Sequence, residues 1–177
     1  MSAPFIVMER MLSVAAVDLF AAHELDTSEI APPDHPAERG DSVVIAIGFA
    51  VADGSRGSLV MTASRATVAS LQGLDGGECS EAVLCDILGE FANMLLGRLK
   101  NSLLSSGVLL LLGTPAAAMV SELFLSTSFT DCRWLAFDVG GRVVGVRFAA
   151  SLSEDFVLHE VRDDSPSPLA EGEMLLF

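Results

Sequence analysis

Basic residues are scarce in this sequence. Ten Lys and Arg stand against 24 Asp and Glu, leaving a formal charge of −14 and a pI near 4.3. A chain of that sign has no long-range attraction to nucleic acid or anionic lipid, which argues against both as partners. An acidic protein partner would also be repelled at distance, so recognising one falls to short-range complementarity. Metal-binding and disulfide-forming residues are as thin. Cys79, Cys85 and Cys132 are odd in number and form no Cys-x-x-Cys pair, and His23, His35 and His159 are scattered. The chain therefore reads as a reduced, cytoplasmic protein without a structural metal.

Long apolar runs are missing too. Residues 43–52 and 108–112 are too short to span a bilayer, and the first twenty residues are interrupted by Glu9, Arg10 and Asp18, so neither signal peptide nor membrane anchor is expected. Nor is there a Gly-x-Ser-x-Gly elbow, a Gly-x4-Gly-Lys-Ser/Thr phosphate loop or a His-Glu-x2-His zinc helix, which removes the commonest hydrolase and nucleotide signatures.

What remains is a hydrophobic chain of 177 residues, 51% apolar with a mean hydropathy of +0.52. That is enough to fill one domain and too apolar for global disorder. Residues 4–22 carry apolar residues at helical spacing: Phe5, Met8, Met11, Leu12, Ala15, Leu19 and Phe20. The prolines of 31–36 predict a loop. Residues 42–51 and 57–63 flank Ala52-Asp53-Gly54-Ser55 as a hairpin, and Ser64 caps a short helix over 65–71, closed by Gly73 and followed by an Asp75-Gly76-Gly77 turn. Downstream, 108–112 reads as a short buried strand, Gly113-Thr114-Pro115 interrupts it, and 116–126 reads as another strand. Residues 132–139 and 142–151 form a hairpin across Gly140-Gly141, with Leu135, Phe137 and Val139 on one face and Trp134 on the other. Both aromatics read as packing residues. Together these elements predict an α+β domain, a mainly antiparallel sheet covered by helices, over residues 1–152. Residues 153–177 are acidic, with Ser165-Pro166-Ser167-Pro168 in the middle and an apolar end, Met174-Leu175-Leu176-Phe177. They are expected to form a mobile tail.

The stretch that carries chemistry is 80–105, SEAVLCDILGEFANMLLGRLKNSLLS. Val83, Leu84, Ile87, Leu88, Phe91, Met94, Leu95, Leu99 and Leu103 recur at helical spacing, no proline intervenes, Ser80 is a suitable N-cap and Gly107 a suitable stop. With Asp86 as zero and about 100° per residue, Glu90 falls near +40°, Asn93 near −20°, Gly97 near +20° and Lys100 near −40°. An amphipathic helix needs a solvated face, and that is the ordinary explanation of such a stripe. Asn93 and Gly97 fit it poorly. Glycine costs about 1 kcal/mol against alanine in a helix, and a purely solvated face would carry Lys, Glu, Gln or Arg. Gly97 instead lets another surface approach the backbone, and Asn93 offers both a donor and an acceptor. Asp86 and Glu90 could alternatively form an acid/base pair one turn apart for a small substrate.

The run Asp86-x3-Glu90-x2-Asn93-Met94-x2-Gly97-x2-Lys100, with Pro115 downstream, resembles the signature helix of the CheC/CheX/FliY family of chemotaxis phosphatases, most of all the single-site CheX type. The strand, turn, strand and short helix of 43–71 match what precedes that element, and the likeness covers residues 5–152. The resemblance implies hydrolysis of the aspartyl phosphate of a phosphorylated CheY-like receiver domain, with Glu90 and Asn93 as the catalytic pair. It places Asp86, Gly97 and Lys100 in the partner contact and gives Pro115 a structural role beneath the helix. It implies a homodimer and no cofactor of the chain's own, the Mg2+ belonging to the partner. A CheX-like module that binds a signalling partner without hydrolysis is the alternative.

Overall fold

The computed structural model describes residues 1–32, 41–74, 79–120 and 128–158. The helix expected at the start runs over Ala3–Ala22 (α1) with a proline in its first turn, where the missing N–H costs nothing. It buries Phe5, Met8, Leu12, Ala15, Ala16, Leu19 and Phe20, the face its spacing predicts.

The sheet is antiparallel at every pairing. Its strands are Thr27–Ile30 (β1), Ser42–Ala50 (β2), Arg56–Ser64 (β3), Leu111–Leu112 (β4), Ala116–Val120 (β5), Asp131–Val139 (β6) and Arg142–Ser151 (β7). They lie in the order β1-β6-β7-β3-β2, with β4 and β5 one after the other along the far side of β2. The β6–β7 hairpin closes on Gly140 and Gly141, at φ of 59° and 79°, the two left-handed positions that a primed two-residue turn demands. The β2–β3 turn is held by Asp53. Its carboxylate accepts from the Ser55 N–H at 2.8 Å, the Ser55 hydroxyl at 3.0 Å and the Ser153 hydroxyl at 3.0 Å, so it also fastens the chain leaving β7.

Ser64 caps a short helix over Arg65–Ser70 (α2), accepting from the Thr67 N–H at 3.1 Å. The long helix spans Glu81–Ser105 (α3), and Ser80 caps it by accepting from the Val83 N–H. Helices α1 and α3 pack side by side on one face of the sheet. The core between them and the sheet draws on alternate strand residues: Val43, Ile45, Ile47 and Phe49 of β2, Leu59 and Met61 of β3, Leu135 and Phe137 of β6, and Val144, Val146 and Phe148 of β7. Phe5 stacks on Phe148 with ring centroids 5.3 Å apart, and Phe49 stacks on the same ring at 5.6 Å. An ion pair at 3.0 Å from Arg133 to Glu9 and a hydrogen bond from the Ser13 hydroxyl to Glu29 clip α1 to β6 and β1. Among the described residues no helix is long and apolar enough to cross a membrane.

Three expectations change. Strand β1 was not foreseen: four residues with two exposed side chains give no usable period, and the strand exists because β6 supplies its partner. The buried strand expected at 108–112 is wrong in extent and burial. Only Leu111 and Leu112 pair with β2, and they are 58% and 38% exposed, because Val108 and Leu110 alone turn inward. Of the strand expected at 116–126, residues 116–120 form β5, while 121–127, the turn at 75–77 and the tail beyond Leu158 lie outside the described residues.

Candidate functional site on the long helix

Helix α3 buries Leu84, Ile87, Leu88, Phe91, Ala92, Leu95, Leu96, Leu99 and Leu103. On one flank Phe91 stacks on Phe20 of α1 with centroids 5.6 Å apart, and the His23 ring lies 4.8 Å from it. On the other flank Gly89 faces Ile45, where an added Cβ would come within 3.8 Å of the isoleucine Cδ1. The helix is thus fixed in rotation from both sides. Its remaining arc has to face outward.

That arc holds the residues singled out from sequence. Asp86, Glu90 and Asn93 are exposed, and Gly97 and Lys100 are half-buried. Glu90 and Asn93, three positions apart, are surface neighbours about 5–6 Å apart at Cβ. Neither Asp86, Glu90 nor Lys100 takes part in an ion pair among the described residues. The two carboxylates and the amide therefore face solvent, with both carboxylates and the ammonium unpaired by any ion pair among the described residues. Around Gly97 an added Cβ would meet nothing within 4 Å, so internal packing does not require glycine there. Burial, aided by the nearby charges of Asp86 and Glu81, pushes the Cys85 thiol up, away from the thiolate form.

Pro115 is exposed and stands in the interruption between β4 and β5, the two strands that border β2, with Gly113 two residues earlier donating its N–H to the Gly48 carbonyl at 2.8 Å. It belongs to neither strand, and β5, which begins at the next residue, packs against α3. Val83, counted from its spacing with the buried face, is 43% exposed. Leu104 is 54% exposed and was not singled out, although at 18 residues from Asp86 the same wheel sets it about in line with the stripe. The stripe thus has an apolar residue near each end.

No family model and no curated protein matches the chain. Solved structures do. The chemotaxis protein CheX of Vibrio vulnificus superposes with a TM-score of 0.64 at 21% identity, over 80% of this chain and 93% of that one. A CheX of Desulfovibrio desulfuricans gives 0.64 at 17% identity, over 81% and 99%. A chain of the CheX–CheY–BeF3–Mg2+ complex of Borrelia burgdorferi gives 0.59 at 15% identity, over 82% and 96%. The α+β architecture is therefore the fold of CheX proteins, and at these identities the likeness is one of fold.

Proposed function

We propose that this chain is a CheX-type member of the CheC/CheX/FliY family and a phosphatase of the aspartyl phosphate on a CheY-like receiver domain. The observation that carries the reading is the outward line of α3, where Glu90 and Asn93 are both present, adjacent and exposed, beside a glycine that nothing inside the protein requires. That one of the structures sharing this fold was solved as a complex with CheY adds support.

An aspartyl phosphate is an activated acyl phosphate. Its hydrolysis needs a water held in line with phosphorus and charge stabilised on the phosphoryl and departing oxygens, with little further covalent chemistry for a protein to perform. In this reading Asn93 enters the receiver's phosphorylation pocket. Its carboxamide oxygen accepts a hydrogen bond from the attacking water and its NH2 remains free to donate. Glu90, one turn back on the same line, pairs with a cationic side chain of the receiver and fixes the register. Asp86 and Lys100 extend the contact, and Gly97 lets the receiver's backbone approach α3. The magnesium ion belongs to the receiver. With a formal charge of −14, this chain gains no steering toward an acidic pocket, so affinity rests on those short-range contacts and on Val83 and Leu104 at the ends of the stripe.

The homodimer is part of the proposal. Among the described residues no strand pairs with the outer side of β4 and β5, and Leu109, Leu111 and Leu112 are 51%, 58% and 38% exposed there, with Ala116, Ala117 and Ala118 exposed as well. A strand edge of that composition is covered in a stable protein, and a second copy pairing edge to edge is the simplest cover.

The test is the decay of receiver domains of the same genome labelled with acetyl phosphate. Wild type should accelerate loss of label, and Glu90→Ala/Asn93→Ala should not. Binding of every receiver tried without acceleration of any would leave a non-catalytic interaction module and end the phosphatase reading.

A further inference from the structure

The outer face of α1 is apolar where a surface helix is ordinarily polar. Taking Val14 as zero, Ala3, Val7, Arg10, Met11, Val17, Asp18 and Ala21 all fall within about 60° of it at about 100° per residue. Val14 is 62% exposed and Val7 40%, Ala3 and Ala21 are exposed, and Met11 and Val17 are half-buried. Valine is a poorer helix former than the lysine or glutamate that a solvated position favours, so helicity does not account for Val14 at so exposed a point. The helix makes its polar contacts on another side: Glu9 pairs with Arg133 of β6, and Ser13 bonds Glu29 of β1. Arg10 and Asp18, the two charged residues of the arc, are exposed and take no ion pair among the described residues.

The arc is symmetric about Val14. Arg10 stands four residues before it and Asp18 four after, Met11 and Val17 stand three to either side, and Val7 and Ala21 seven. Arg10, Val14 and Asp18 lie in one i±4 row, and packing such rows against each other, at about 50°, is the commonest way for two helices to cross. Laid antiparallel on a second copy in that manner, with the two-fold axis at Val14, the row sets Val14 on Val14 and each Arg10 opposite Asp18 of the other copy. Each charge is about 6 Å along the axis from Val14, at 1.5 Å per residue, so the pairs bracket the crossing point closely. Met11 and Val17 close the contact on the two sides of the row.

We infer that α1 is a self-association surface, on which two copies of this chain pack α1 against α1, antiparallel about Val14, with an Arg10–Asp18 ion pair at each end. Self-complementarity about a single residue is what an isologous contact demands, and a different partner does not require it. The apolar residues supply the attraction, while the exposed ion pairs set direction and register more than affinity. Copies of a chain with a charge of −14 repel at distance, and an arc with one charge of each sign is a neutral place for them to meet. The contact is separate from the edge at β4 and β5, since α1 packs over β1 and β6 on the other side of the sheet. Used together, the two contacts build a tetramer or a longer chain of copies.

Sedimentation velocity over a rising protein concentration tests this, on the full chain and on the full chain with Leu111→Lys and Ala118→Lys, two exposed positions whose charge opposes pairing at the sheet edge. Both should associate. Arg10→Asp and Asp18→Arg should each weaken association of the edge-charged chain about tenfold, and the two changes together should restore it, as a direct pair requires. The single changes move the net charge in opposite directions, so a general charge effect would weaken one and strengthen the other. Val14→Asp, at an exposed position, should abolish the association. The inference is overturned if the edge-charged chain stays a monomer at every concentration, if Asp18→Arg strengthens association, or if the exchanged pair does not restore it. Val14→Asp that weakens receiver binding and leaves self-association unchanged also overturns it, by assigning the face to the receiver.

Discussion

Phe20 of α1 and Phe91 of α3 stack with their ring planes 20° apart, and Phe91 lies in sequence between Glu90 and Asn93. The contact that locks the two helices together therefore also decides where the two polar side chains point. Phe91→Ala removes a fully buried ring from between α1 and the sheet, and it should cost about 3–5 kcal/mol of stability in denaturant unfolding. Because the helix also loses one of its two rotational anchors, receiver dephosphorylation should fall by more than the folded fraction alone accounts for.

Asn93→Ala should behave differently. The side chain is exposed and holds nothing together, so unfolding should be unchanged within about 0.5 kcal/mol. Transition-state stabilisation should drop by about 3 kcal/mol, the loss seen for one preorganised polar group, which is about a hundredfold in the rate of dephosphorylation. Binding to the phosphorylated receiver, measured by titration calorimetry, should survive if Asn93 serves to orient water. Loss of binding together with rate would assign it to docking.

Gly97→Ala separates folding from function. With nothing within 4 Å of the new methyl group, the helix should gain up to about 1 kcal/mol in stability. If a receiver's backbone packs on that spot, its affinity should fall at least tenfold. A variant that is more stable and binds as well as wild type would show Gly97 to be without a role in the contact.

Acid sensitivity should draw on Asp53, as on Asp131, whose carboxyl is likewise held low by Ser2 and the N-terminal ammonium despite its burial. Burial raises the Asp53 carboxyl, but the Ser55 N–H and hydroxyl and the Ser153 hydroxyl outweigh this and hold it below the ordinary carboxylate range. A carboxyl lower in the folded than in the unfolded chain contributes stability that is fully present above the unfolded value, about pH 4, and is lost as pH falls through the folded one. Asp53→Asn should therefore lower stability at neutral pH and flatten the decline below about pH 4, read from thermal unfolding against pH.

Much of this molecule is legible in its sequence because its signals are local. Period 3.6 places α1 and α3, Ser64 and Ser80 mark the starts of α2 and α3, and Gly140-Gly141 fixes a turn. The line of Asp86, Glu90, Asn93 and Gly97 follows from helix geometry alone, which is why the candidate site could be named before its surroundings were known. Leu104 falls on the same line, but a leucine carries no sequence signal that it stands outside the core.

What the sequence determined by itself is therefore which residues share a face. Which face meets water was settled by tertiary packing: Phe20 on one flank of α3 and Ile45 on the other turn Glu90 and Asn93 outward, and both come from segments distant in the chain. The same holds for β1, a strand only because β6 lies beside it, and for Leu111 and Leu112, whose apolar side chains are exposed because they occupy the last position in the sheet. Strand pairing and edge position are long-range properties, and no local period encodes them.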